Sequence, residues 1–164
     1  MRFFARLSDI VYRIEKFLAV ILLGVMTLTL IAGVIFRYFL NAPLFWSDEL
    51  AMFSFVWITF LGGSMAIKRQ QLAAVTIFMD RFSGRTRRVL ASISLGAVAA
   101  FCLSFLALSV SWILSPTISY ETSDALQIPM FYPYLSVPVG ICFMSVHALF
   151  FFIQSLRPDH KEGS

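Results

Sequence analysis

Asp48 and Glu49 stand side by side in NAPLFWSDELAMF, residues 41–53, inside one of the most apolar stretches of the chain. Such a pair can be a chemical site, an anchor for a partner or the mark of a helix end. Other reactive side chains are few. His147 is the only ionisable group well inside an apolar run, and a helix-to-helix hydrogen bond explains it better than a proton relay. Cys102 and Cys142 both fall in apolar runs, where they act as small hydrophobes, and no CxxC or Cys/His pair offers metal or redox chemistry. No carboxylate lies in the middle of an apolar run. No Ser/His/Asp arrangement, Gly-rich phosphate loop or paired acids around a pocket is visible, so neither an enzyme nor a cofactor is expected.

The elements that carry these residues follow from composition. Of 164 residues, 59% are hydrophobic and 13% charged, against roughly 25% charged in soluble domains. This is the balance of an all-α integral membrane protein, with residues 1–164 forming a single membrane domain. Apolar runs at 17–36, 50–67, 89–114 and 130–153 each suffice to cross ~30 Å of hydrocarbon as a helix. Pro133 and Pro138 fall in the first turns of the fourth, where a missing N–H costs least or produces a kink. The basic N-terminus precedes a run too long for a signal-peptide core, with no small-x-small cleavage site after it, so it reads as an uncleaved first span.

The net charge of +4 is not a nucleic-acid footprint, because the basic residues sort by connection. Arg2, Arg6, Arg13 and Lys16 precede the first span; Lys68, Arg69, Arg81, Arg85, Arg87 and Arg88 separate the second and third; Arg157 and Lys161 follow the fourth. The other two connections hold Asp48, Glu49, Glu121 and Asp124, with Arg37 as their one basic residue. By the positive-inside rule, both termini and the middle connection are expected in the cytoplasm. Two short amphipathic interfacial helices are also expected. One lies at the N-terminus, with Phe3, Leu7, Ile10 and Ile14 opposite Arg6, Asp9 and Arg13. The other lies between spans two and three, with Leu72, Val75, Met79 and Phe82 apart from Asp80, Arg81 and Arg85. Ordinary basic loops fit both segments equally well.

Within this frame the acidic pair marks a water boundary. Asn41 and Pro43 make a turn, Trp46 is an interfacial aromatic, and Ser47 is placed to cap the second span. Asp48 and Glu49 then complement the helix dipole. Arg37 is close enough to pair with one carboxylate, leaving the other free, and Glu121 and Asp124 can extend the negative patch. A docking or assembly role for these residues is compatible with that structural account. Small residues offer close helix packing: Ser92, Gly96, Ala100 and Ser104 at intervals of four, and Gly62 with Ala66. Packing within the four spans explains these stripes better than a partner interface. Self-sufficient carriers need polar or broken-helix sites near the midplane and inverted repeats; this sequence shows neither.

Taken together, RYFLNAPLFWSDELAMFSFVWITFLGGSMAIKRQ resembles the small membrane subunit, DctQ-like, of tripartite ATP-independent periplasmic (TRAP) transporters. The resemblance rests on Arg37, Asn41, Pro43, Trp46, Ser47, Asp48, Glu49, Leu50, Leu61, Gly62, Lys68 and Arg69. Ile128, Pro129, Tyr134, Pro138 and Gly140 extend it toward the fourth span. One departure is QQLAAVTIF after the basic pair, where the family often has His, then Val and Asp; any role of those residues in the connecting loop is therefore not carried over. The resemblance implies a secondary transporter in three parts. A periplasmic substrate-binding protein captures an organic acid such as a C4-dicarboxylate or sialic acid. A large membrane subunit holds the sodium and substrate sites and moves the substrate by an elevator-type motion. The small subunit braces it in the bacterial inner membrane and contributes to docking. A four-span structural or sensor protein and a homo-oligomeric small exporter stay open as alternatives from the residues alone.

Overall fold

The computed structural model describes residues 2–69 and 84–155, which form helices α1 (Arg2–Tyr38), α2 (Phe45–Lys68), α3 (Gly84–Ile113), α4 (Pro116–Tyr120), α5 (Phe131–Tyr134) and α6 (Ser136–Ser155). Four helical segments are long and apolar enough to cross a membrane: Ala5–Tyr38, Phe45–Lys68, Val89–Ile113 and Phe131–Ser155. Each overlaps one of the four apolar runs, the first beginning at residue 5 instead of 17 and the second at 45 instead of 50. The proposed interfacial helix of Leu72, Val75, Met79 and Phe82 lies outside the described residues.

At the N-terminus the amphipathic stretch is not a separate interfacial helix. It continues without a break into the first span, giving a helix of 37 residues, about 55 Å long at 1.5 Å per residue. The face that packs is also not the apolar one. Ile10 and Ile14 are exposed, whereas Ser8, Val11 and Glu15 are buried. The spacing of that buried row carries on through Thr29 and Gly33. Burial here serves the polar groups: once Ser8 and Glu15 are enclosed by helices, they must find partners inside the protein.

The spans form a row in the order α1, α2, α6, α3, with α1 also touching α6. Neighbours α1 and α2 are antiparallel, α2 and α6 parallel, and α3 packs chiefly on α6. Close approach is set by glycine. A Cβ on Gly140 would lie 2.5 Å from Phe60 Cβ, and one on Gly63 would lie 2.6 Å from Met144 Cε, so α6 rides directly on α2. The fourth span is interrupted at Leu135, between α5 and α6. Pro138 has no N–H to return to Tyr134, which leaves one helical rung unmade there.

The row has two chemically distinct ends. One carries the N-terminal turns of α1 with Lys68 and Arg69, and is called the basic end. The other carries Arg37, Asp48, Glu49 and the connection between α3 and α6, and is called the acidic end.

Candidate functional site

At the acidic end, α1 stops where Asn41 takes a left-handed backbone (φ 50°), a conformation Asn tolerates better than most residues. The Ala42 N–H closes back on the Phe36 carbonyl at 3.1 Å. Pro43 follows, and α2 begins at Phe45, earlier than the apolar run implies. As a result Ser47 is not the cap. The cap position belongs to Leu44, which makes no side-chain cap bond, and Ser47 Oγ instead donates to the Leu44 carbonyl at 2.8 Å. Ser47 is fully buried against α1, 2.6 Å from where a Cβ on Gly33 would sit.

The two carboxylates part company. Arg37 Nη2 donates to Asp48 Oδ2 at 2.7 Å, an ion pair with both partners about half exposed (49% and 62%). At that exposure the pair contributes about 0–1 kcal/mol. Glu49 is not left free. Its carboxylate accepts the backbone N–H groups of Asp124 (3.2 Å), Ala125 (3.1 Å) and Leu126 (2.8 Å). Three successive amides aimed at one anion form a nest. The segment they belong to is a tight hairpin: Thr122 pairs with Pro129, Ser123 N–H donates to the Ile128 carbonyl at 2.9 Å, and Gln127 turns the chain at φ 54°. Glu49 therefore pins this hairpin to the start of α2. Glu121 and Asp124 lie exposed on it, and Trp46 is exposed in the first turn of α2. The structure thus gathers Arg37, Asn41, Pro43, Trp46, Asp48, Glu49, Glu121 and Asp124 at one end.

The basic end holds a second cluster, which the sequence pattern does not reveal. His147 on α6 is fully buried and meets two α1 side chains seven residues apart. Its Nδ1 lies 2.8 Å from Ser8 Oγ, and its Nε2 lies 3.2 Å from Glu15 Oε2. Lys68 Nζ donates to Ser8 Oγ and to Asp9 Oδ1, each at 2.8 Å, and sits 5.1 Å above the Phe150 ring. A lysine only donates and a carboxylate only accepts. The chain Lys68, Ser8, His147, Glu15 therefore has one consistent donor sense, and it joins α2, α1 and α6. Beside it, Arg69 Nε and Nη2 donate to Tyr12 OH at 2.8 and 2.6 Å.

Ser8, His147 and Glu15 thus form the serine–histidine–acid constellation that the sequence does not display. Its chemistry is structural. Ser8 and Glu15 are fully buried, and the serine oxygen is already held by an ammonium, so no substrate can reach a nucleophile. Glu15 lies outside the apolar runs, two residues before the first of them, and is enclosed by helices. The findable signal was Ser8 and Glu15 on one face of a helix, in a chain whose single span histidine needs a partner.

The small residues divide between packed and outward positions. On α3, Ser92 Oγ donates to the Ser155 carbonyl at 3.3 Å, and a Cβ on Gly96 would lie 2.9 Å from the Phe152 ring. Ala100 and Ser104 face outward, and α3 buries Ala99, Cys102, Ser109 and Ile113 instead. Steps of four advance about 40° beyond a full turn, so a strict four-residue stripe walks off the contact, whereas alternating threes and fours stay on it. On α2, a Cβ on Gly62 would meet nothing within 4 Å, and Ala66 is half-buried. Gly63 makes the close approach instead.

Comparison with known proteins agrees with this architecture. A family model for the DctQ component of tripartite ATP-independent periplasmic transporters matches residues 26–158. The C4-dicarboxylate TRAP transporter small permease protein DctQ of Vibrio cholerae serotype O1 is 29% identical over 170 aligned positions, covering 89% of this chain and 72% of that protein. The protein of the same description from Rhodobacter capsulatus is 27% identical, over 73% of this chain and 55% of its own length. The isethionate TRAP transporter permease protein DctMQ of Oleidesulfovibrio alaskensis is 33% identical over 109 residues, which is 63% of this chain but 16% of that larger permease. Four apolar helices, polar groups spent on joining them and a family match over most of the length lead to one conclusion: the chain belongs to the DctQ component family of TRAP transporters, as a multi-pass membrane transporter subunit and not an enzyme.

Proposed function

We propose that this chain is the small membrane subunit of a sodium-coupled TRAP transporter that imports an organic acid, such as a C4-dicarboxylate or a sialic acid. It braces a large transport subunit and takes part in docking the periplasmic binding protein. One observation carries the reading: the buried cluster of Ser8, Glu15 and His147 joins α1 to α6, while the outer faces of α1 and α3 are apolar and unpartnered among the described residues. A chain built in this way offers surface for a partner. The enclosure of Glu15 between helices and its tie to His147 support a structural use of that carboxylate over an exporter's. The presence of a DctQ-like region within a larger permease relative supports a large membrane partner.

In this reading the basic end is cytoplasmic, with both termini, and the acidic end is periplasmic. The hairpin pinned by Glu49 then presents Glu121 and Asp124 to the arriving binding protein, where charge steers encounter more than it tightens it. The test is uptake in cells expressing this chain with its large subunit and binding protein, combined with reporter fusions. Uptake should need all three proteins. Fusions after residues 16, 75 and 160 should report cytoplasm, and those near 43 and 122 periplasm. Uptake without this chain, or a periplasmic reading at residue 75, would overturn the proposal.

A further inference from the structure

Two buried oxygens in the described structure have no hydrogen-bond partner there: Glu15 Oε1 and Ser64 Oγ. Both residues are fully buried. Two independent registers bring them to the same level. In the antiparallel pair α1–α2, Gly33 lies against Ser47 and Ser8 is reached by Lys68, which sets Glu15 opposite the turn of Ser64. In the parallel pair α2–α6, Gly140 lies against Phe60 and Gly63 against Met144, which sets Ser64 beside Ser145 and less than a turn from His147, the partner of Glu15.

Ser64 is also unlike its neighbours in the spans. Ser54, Thr59, Ser111 and Ser145 each return their hydroxyl to the carbonyl one turn back, at 2.8–3.0 Å. Ser64 does not, so its hydroxyl is available to something else. We propose that Glu15 Oε1 and Ser64 Oγ together bind one water molecule between α1 and α2. A water can donate to the carboxylate oxygen while accepting from the serine hydroxyl, giving it the two or more polar partners that buried water requires.

A metal cation fits the site less well. It offers two side-chain oxygens, fewer than a hard cation collects, and the Lys68 ammonium stands one turn along α2 from Ser64. The bound water closes a ring that runs from Lys68 through Ser8, His147, Glu15 and the water to Ser64. It fastens α2 to the α1–α6 pair at two points one turn apart.

The test is infrared difference spectroscopy on the full chain in lipid nanodiscs, in ordinary and oxygen-18 water. Wild type should show a hydrogen-bonded O–H band that moves with the isotope and is lost in both Ser64→Ala and Glu15→Gln. Ser64→Ala should also move the carboxylate band that Glu15→Gln removes. Should Glu15→Gln fail to fold, the milder Ser64→Ala still decides. No isotope-sensitive band lost in Ser64→Ala would overturn the proposal. So would a Glu15 carboxylate band that moves when sodium replaces potassium at constant ionic strength, because a cation would then hold the site.

Discussion

Replacing Glu49 by Gln should loosen the hairpin at residues 121–130 without unfolding the helices beneath it. A hydrogen bond to a charged group contributes about 1.5–3 kcal/mol when well formed. Two of the bonds to Glu49 exceed 3 Å and both lie in reach of water, so they fall below that range, while the 2.8 Å bond from Leu126 N–H sits within it. Glutamine keeps one carbonyl acceptor but turns an NH₂ group toward amides that also donate, so most of the set is lost. The net effect on local opening should be roughly 2 kcal/mol, about a thirtyfold change in the opening equilibrium. Hydrogen exchange reads this directly. A peptide covering 121–130 should exchange about thirtyfold faster in Glu49→Gln, with the α2 and α6 peptides unchanged. Asp48→Asn is the control, since Asp48 bonds only to the exposed Arg37 among the described residues, and it should leave the hairpin as in wild type. Equal exchange in wild type and Glu49→Gln, or equal acceleration in Asp48→Asn, would refute the reasoning.

Gly140→Ala should cost about 1–3 kcal/mol by overpacking against Phe60, whereas Gly62→Ala meets nothing and should be neutral or stabilise by up to about 1 kcal/mol through helix propensity; thermal melts in nanodiscs separate the two. Gly96→Leu should weaken the α3–α6 contact by driving a side chain into the Phe152 ring, seen as a lower melting temperature or reduced recovery of the assembled transporter. His147→Ala strips the partner from a fully buried Glu15 and should cost about 3–5 kcal/mol, measured by denaturation, with His147→Gln milder.

The spans were legible because twenty apolar residues in a row have few other uses, and even the early stop at Asn41 and Pro43 is written in residue type. The face of α1 that packs was not. A helical pattern search looks for the apolar side, and in the N-terminal turns that side, Ile10 and Ile14, faces outward, while Ser8 and Glu15 turn inward. The tie at Glu49 is hidden from the sequence for a different reason. Its partners are backbone amides more than seventy residues away, and backbone groups leave no trace in side-chain patterns. The apolar run starts after Ser47 and so suggests a cap there, whereas the helix starts before it. A lone histidine in an apolar run suggests a helix-to-helix hydrogen bond, and His147 of α6 meets Ser8 and Glu15 of α1.

The row of helices has unequal edges. Along one side, α1 is bolted to its neighbours at both ends, through Lys68, Ser8, His147 and Glu15 at the basic end and through Gly33, Ser47 and the Arg37–Asp48 pair at the acidic end. Along the other, α3 leans on α6 through a seam of small and apolar side chains with one side-chain bond, from Ser92, among the described residues. A load applied through a partner would therefore be carried differently by each side. α1, α2 and α6 would move together like a plate, because shifting any one breaks the buried Ser8–His147–Glu15 bonds or the glycine contacts, and a buried polar group has no water to replace a lost partner. α3 would slide or tilt along its seam at the cost of dispersion contacts and the single long Ser92 bond. Under the proposed bracing role, that division would give one stiff margin to hold position and one compliant margin to take up displacement.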